Sequence, residues 1–167
     1  DGLIDQARAQ LWKVVNELSR ARRNGVHPRL EVALFEYGNN GLGESDGWMR
    51  MVSDLTTDLD RISEKLFALV TDGGDEYCGQ VIGRAADRLS WSASNDVLKV
   101  IYIAGNEPFD QGGVDYRSSV ARAVRKKIVV NTIFCSSEQE GIERRIVLRA
   151  HARRSHPSGA RVPALHF

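Results

Sequence analysis

The sequence of 167 residues predicts an α/β fold with a doubly wound, mostly parallel sheet that is flanked by helices. Apolar residues recur every three or four positions in four segments, which is typical of amphipathic helices. Two other segments, 97–105 and 127–135, are nearly continuous apolar runs of the kind found in parallel strands buried on both faces. The resulting order is helix, strand, strand, helix, helix, strand, helix, strand.

The first predicted helix covers residues 3–24, where Ile4, Leu11, Val14 and Leu18 lie on one face. A β-rich run follows from Leu30, and a polar, glycine-rich loop ends it. Residues 48–55 alternate imperfectly between apolar and polar side chains. We therefore expect two consecutive strands that pair as an antiparallel hairpin at the edge of the sheet.

The second predicted helix opens at residues 57–60, whose Thr-x-x-Asp sequence is close to a capping box, and the third covers residues 77–91. The fourth helix lies between the two apolar strands, with Asp115 as its expected N-cap residue. This helix makes the connection that a parallel strand pair requires.

The formal net charge of +1 combines two unlike parts. Residues 144–167 contain six Arg and no acidic residue, so residues 1–143 carry 17 basic and 22 acidic residues, a charge of −5. The basic segment shows neither a helical nor a strand period and lacks interleaved aromatic residues. We predict a domain over 1–143 and a non-native or disordered tail over 144–167, with no nucleic-acid partner.

Several functional classes find no support in the sequence. No apolar stretch is long enough for a membrane span. The sequence lacks a dinucleotide fingerprint, a phosphate-binding loop, a nucleophile elbow and a zinc-protease motif, so we predict a non-enzymatic protein. Cys78 and Cys135 are expected to be buried free thiols, with a disulfide as the alternative, and the cellular compartment stays open.

Three strings, in order along the chain, resemble the von Willebrand factor A domain of the bacterial branch. They are residues 55–76 (LTTDLDRISEKLFALVTDGGDE), 100–109 (VIYIAGNEPF) and 128–135 (IVVNTIFC). The resemblance covers roughly residues 1–143. It implies a Rossmann-like fold with a metal-ion-dependent adhesion site at the carboxyl ends of the strands. There, oxygen ligands hold Mg²⁺ or another divalent cation, and a carboxylate of a protein partner completes the coordination.

The resemblance places only part of this site in the sequence. The family's Asp-x-Ser-x-Ser motif and its first, central strand would precede Asp1, so we expect a chain truncated at its N-terminus with a gap in the sheet. The family's loop Thr is Asp75 here, and the Asp after the fourth strand is Gly105. The metal candidates are therefore Asp75, Asn106 and Glu107, although Asp75 could instead cap the next helix and Glu107 could be a solvated turn residue. The expected binding edge comprises Gly73, Gly74, Asp75, Gly105, Asn106 and Glu107.

The resemblance implies a protein-binding module whose metal site is incomplete, so we expect this chain to bind no cation or to bind one weakly. Two alternatives remain open. One is a doubly wound nucleotide- or phosphate-binding enzyme that uses Gly73, Gly74 and the following helix N-terminus for an anion. The other is a degenerate von Willebrand factor A scaffold without metal.

Overall fold

A computed structural model describes residues 2–22 and 24–135 as a mixed α/β structure. The elements are α1 (Gly2–Arg20), β1 (Val32–Tyr37), a short 3₁₀ helix (Glu44–Asp46), β2 (Met49–Thr56), α2 (Leu59–Phe67), α3 (Cys78–Arg88), β3 (Lys99–Gly105), α4 (Tyr116–Arg125) and β4 (Ile128–Phe134). The predicted order of helices and strands is confirmed. The expectations about the tail over 144–167 concern residues outside this described part.

The predicted antiparallel hairpin is formed by β1 and β2. Tyr37 pairs with Met49 at the loop end and Leu34 pairs with Ser53 farther along, with irregular register between Val32 and Phe35. The Glu36 side chain is buried on β1. Its carboxylate accepts hydrogen bonds from Arg50 Nε at 2.7 Å and Asn39 Nδ2 at 2.8 Å, which satisfy a charge that would otherwise be costly to bury.

The predicted parallel pair is formed by β3 and β4, which stay in register over seven residue pairs, from Lys99 opposite Ile128 to Gly105 opposite Phe134. The expectation that both strands are buried on both faces is only partly met. Most of their side chains are half-buried, because each strand has a strand neighbour on one side within the described residues.

The two strand pairs form separate sheets in the described part of the chain. Helix α3 connects them, since its Cys78, Val81 and Ile82 pack in one core cluster with Met49 of β2 and Ile103 of β3. The Tyr37 hydroxyl also donates a hydrogen bond to the Ala104 carbonyl at 2.7 Å, which links the end of β1 to β3. The shared core therefore lies around α3.

Helices α3 and α4 approach each other closely through small residues. An added Cβ on Gly79 would collide with the Val114 carbonyl, and one on Gly83 would lie 3.1 Å from Ser119 Oγ. Asp115 caps α4 as predicted, accepting hydrogen bonds from the backbone N–H groups of Arg117 and Ser118. Glycine at two successive turns of α3 thus permits the close packing.

Two helices end earlier than the sequence pattern predicts. Helix α1 ends at Arg20 instead of residue 24, and its one buried side chain among the described residues is Val14. Helix α3 ends at Arg88, and Trp91, which the pattern includes in the helix, folds back so that its indole N–H donates to the Ala85 carbonyl at 2.9 Å. Trp91 therefore satisfies a carbonyl that the helix end leaves open.

Candidate functional site

The carboxyl ends of three strands meet at one edge of the molecule. The Tyr37 side chain at the end of β1 reaches the Ala104 carbonyl, and the backbone N–H of Cys135, after β4, donates to the Gly105 carbonyl at 3.0 Å. Such edges are where α/β sheets usually bind ligands, because the loops that follow the strands converge there.

Hydrogen bonds connect the three loops that form this edge, which cover residues 38–48, 69–77 and 106–115. The Asn40 N–H donates to the Gly73 carbonyl at 3.2 Å, which joins the first loop to the second. The Glu76 N–H donates to Gln111 Oε1 at 2.8 Å, which joins the second loop to the third. We call this group of loops the acidic edge, for the composition described below.

In the second loop, the predicted residues Gly73 and Gly74 lie against Asn40. Both have positive φ, and a Cβ on Gly74 would lie 2.7 Å from Asn40 Oδ1, so glycine is required on two grounds. Asp75 is exposed, and its carboxylate accepts a hydrogen bond from the Tyr77 hydroxyl at 3.4 Å. Asp75 does not cap α3, because the N-cap residue is Tyr77 and it makes no side-chain cap bond.

The third loop brings together the other predicted residues, Gly105, Asn106 and Glu107. The Asn106 amide donates to Glu107 Oε1 at 2.9 Å, and the Gln111 amide lies 3.4 Å from Glu107 Oε2. A Cβ on Gly105 would lie 2.6 Å from Glu76 Oε2. The resemblance implies that Gly105 replaces a metal ligand, and in the structure its missing side chain makes room for Glu76.

Sequence reasoning missed Glu76, whose side chain lies close to Gly38 of the first loop and to Gly105 at the end of β3. Burial raises the pKa of its carboxyl group, and the charge of Glu107 adds to the rise, while hydrogen bonds from the backbone of Glu107 and Asn106 oppose it. Its Oε2 atom is buried and has no hydrogen-bond partner among the described residues. The one signal in the sequence was its position next to Asp75, and the pattern favoured Asp75.

The candidate metal ligands do not form a cation site by themselves. Both carboxylate oxygens of Glu107 face amide donors, and Asp75 faces Tyr77. Among residues 2–22 and 24–135, no group of three or more His, Cys, Asp or Glu side chains could hold a metal ion. The described donors therefore do not fit a divalent cation, which needs several converging oxygen ligands.

Two buried thiols lie beneath the edge. Cys78 and Cys135 are both free, in agreement with the expectation from the sequence. Burial raises the pKa of the Cys78 thiol to about 12 and also raises that of Cys135. The Cys78 sulfur lies 3.9 Å from the Tyr37 hydroxyl, whose own pKa is raised well above its usual value by burial. Both thiols are therefore protonated at neutral pH and are poor nucleophiles.

All charged side chains of the acidic edge are acidic. The three loops contain no Lys, Arg or His, and their acidic residues are Glu44, Asp46, Asp72, Asp75, Glu76, Glu107, Asp110 and Asp115. Several of these are exposed, among them Asp72 and Asp75. A concentration of like charge on three connected loops attracts cationic groups and repels anions.

Comparison of the chain with protein-family models, with curated proteins and with solved structures finds no match. Over the described residues, none of the helices combines the length and the apolar character needed to cross a bilayer.

Proposed function

We propose that this protein is a non-enzymatic protein-binding module similar to a von Willebrand factor A domain, and that its partner binds at the acidic edge. The observation that carries the proposal is the convergence of three loops at the carboxyl ends of the strands. Hydrogen bonds at Asn40 and Glu76 connect these loops. A connected surface of this kind keeps its shape on binding and loses little conformational entropy.

A doubly wound sheet with an open central position is part of this proposal. In this arrangement β1–β2 and β3–β4 are the two sides of one sheet, separated by the position of a missing strand. The contacts of α3 with both β1 and β3 support it, as does the contact of α1 with both α2 and β3. The hydrogen bond between Tyr37 and Ala104 supports a close approach of the two sides at the acidic edge.

Any Mg²⁺ at this edge would need ligands from outside the described residues, with Asp75 as the ligand from this chain. A Mg²⁺ ion held there would offer an open coordination position to a carboxylate of the partner. We expect weak cation binding by this chain, or none. Titration calorimetry with Mg²⁺ and Mn²⁺ tests this, and micromolar affinity would contradict it.

The binding proposal itself is tested with a displayed library of random peptides selected on the full chain. Binding of the selected peptides should fall at least about tenfold in a variant with Asp72→Asn and Asp75→Asn, since both residues are exposed on the edge. The matched control carries Asp54→Asn and Asp60→Asn, two exposed acidic residues on β2 and α2. Peptides that depend equally on the control residues, or on neither pair, would overturn the proposal.

The alternative of a phosphate- or nucleotide-binding enzyme is less favoured by the charges at the same place. A phosphate bound by Gly73, Gly74 and the start of α3 would lie beside Asp72, Asp75 and Glu76. These carboxylates oppose the attraction that a helix N-terminus offers to anions.

A further inference from the structure

The outer surface of α3 and α4 has a charge opposite to that of the acidic edge. Segments 78–88 and 118–127 contain one acidic residue, Asp87. Their basic residues are Arg84, Arg88, Arg122, Arg125, Lys126 and Lys127, whereas Arg117, at the start of α4, pairs with Asp115 of the acidic edge at 3.8 Å. We call this surface the basic face.

Most of the positive charge of the basic face is not neutralised within the described structure. Asp87 pairs with Arg122 at 2.8 Å and Lys126 at 2.6 Å. Arg88 and Arg125 are exposed and make no ion pair with a described residue. Their guanidinium groups are therefore available to carboxylates of another molecule, which they can bind with two parallel hydrogen bonds.

The two charged surfaces lie at opposite ends of the same helices. Helix α3 begins next to Glu76 at the acidic edge, and its basic residues, Arg84 and Arg88, lie in its second half. Its 11 residues span about 16 Å. Exposed charges separated by more than about 10 Å are largely screened at physiological salt, so Arg88, at the far end of α3, is not neutralised by the edge of its own molecule.

We propose that the basic face binds the acidic edge of a second copy of this chain, head to tail. The inference rests on the proposed role of the acidic edge as a binding surface and names the chemistry of the partner for an edge without a bound cation: an arginine-rich helical surface. The argument is charge complementarity, with the exposed arginines Arg88 and Arg125 on one surface and exposed carboxylates, among them Asp72 and Asp75, on the other. Such an interface is heterologous, so each copy keeps one free surface of each kind.

Sedimentation velocity of the full chain, at on the order of 100 µM, tests the proposal. In about 20 mM NaCl the weight-average mass should rise above the 18.6 kDa of one chain, and in about 500 mM NaCl it should return to that value. A variant with Arg88→Glu and Arg125→Glu should stay monomeric at low salt. The matched control carries Arg20→Glu and Arg61→Glu, exposed residues of α1 and α2, and should associate like the unmodified chain.

A mixing experiment separates this interface from general charge attraction. A variant with Asp72→Lys and Asp75→Lys keeps only the basic face, and the Arg88→Glu, Arg125→Glu variant keeps only the acidic edge. Each should be monomeric alone, and an equal mixture should form a heterodimer that grows no further. A monomer under all conditions, or association that survives the basic-face substitutions, would overturn the inference. If library peptides still depend on Asp72 and Asp75 in either case, the proposed function stands without it.

Discussion

The two parts of the domain differ in how their cores are built. Residues 2–67 contain α1, the irregular β1–β2 hairpin and α2, and their buried apolar side chains are Val14, Met49, Ile62 and Leu66. Residues 78–135 contain α3, β3, α4 and β4, and their buried apolar side chains are Cys78, Val81, Ile82, Ala85, Ala86, Leu89, Ile103, Ala123, Ile128 and Cys135. The second part therefore has the larger core in fewer residues.

The larger core of the second part indicates that this part is locally more stable than the first. In the second part the parallel register is continuous and two helices pack closely, whereas in the first part a buried carboxylate, Glu36, occupies a strand position. Local stability in a protein follows the density of buried apolar contacts. We therefore expect the α3–β4 region to unfold last, and three sets of substitutions test this expectation.

The largest loss of unfolding free energy is expected for Ile82→Ala. Ile82 is fully buried in the cluster around α3, so its truncation leaves a cavity and should cost about 2–5 kcal/mol of unfolding free energy. The control is Ile62→Ala in α2, a residue that is equally buried but belongs to neither core cluster. Denaturant unfolding should show a smaller loss for Ile62, and an equal or larger loss would remove the proposed difference between the two parts.

A smaller loss of unfolding free energy is expected for substitutions where α3 and α4 touch. Gly79→Ala places a methyl group against the Val114 carbonyl, so the helices must separate, at a cost of about 1–3 kcal/mol. Gly83→Ala meets a side-chain oxygen at 3.1 Å and gains up to about 1 kcal/mol of helix propensity, so its net effect should be near zero. Thermal unfolding measures both. Equal losses would show that Gly79 does not set the helix separation.

The smallest effect is expected for the exposed ion pairs of Asp87. The hydrogen bond from Lys126, with a contribution from Arg122, holds the pKa of the Asp87 carboxyl below its usual value. A lowered carboxyl pKa stabilises the fold above the unfolded-state pKa, and this stabilisation is lost as pH falls through the folded-state pKa. Because the side chain is 38% exposed, solvent screening limits the contribution to less than about 1 kcal/mol.

Unfolding of Asp87→Asn and of the unmodified chain, followed from about pH 7 to about pH 2 at low salt, measures this contribution. The two stability curves should converge at the acidic end. Asp60→Asn, an exposed α2 variant without an ion pair to a described residue, serves as the control and should follow the unmodified chain. A constant gap between the first two curves would assign the effect of Asp87 to a cause other than its charge.

The sequence predicts helix caps and the order of helices and strands, because these features depend on residues that are close together along the chain. Asp115 was identified as a helix cap because its partners, Arg117 and Ser118, are two and three residues away. The apolar runs of β3 and β4 predicted a parallel pair because a helical segment separates them. Periodicity and capping are local signals, and they were sufficient for the order of the elements.

The position of Glu76 could not be predicted in this way. Its contacts with Asn106 and Glu107 join segments about thirty residues apart, and neither segment contains a pattern that specifies the other. The steric role of Gly105 was not predictable for the same reason, since the need for a missing Cβ arises only when Glu76 is already in place. The composition of the edge was visible in the sequence, but only the connected loops show that it forms one surface.

The single hydroxyl contact from Tyr37 to Ala104 also has a dynamic consequence. Because the described sheets share no strand pairing, relative sliding of β1 and β3 is opposed by this bond, by the side chains around α3 and by the contacts of α1 with α2 and β3, and not by a hydrogen-bonded ladder. Amide protons on the facing borders of those two strands should exchange with solvent deuterium without global unfolding, whereas those between β3 and β4 should exchange slowly. Each sheet would then be rigid by itself, and the two sheets would be able to shift relative to each other.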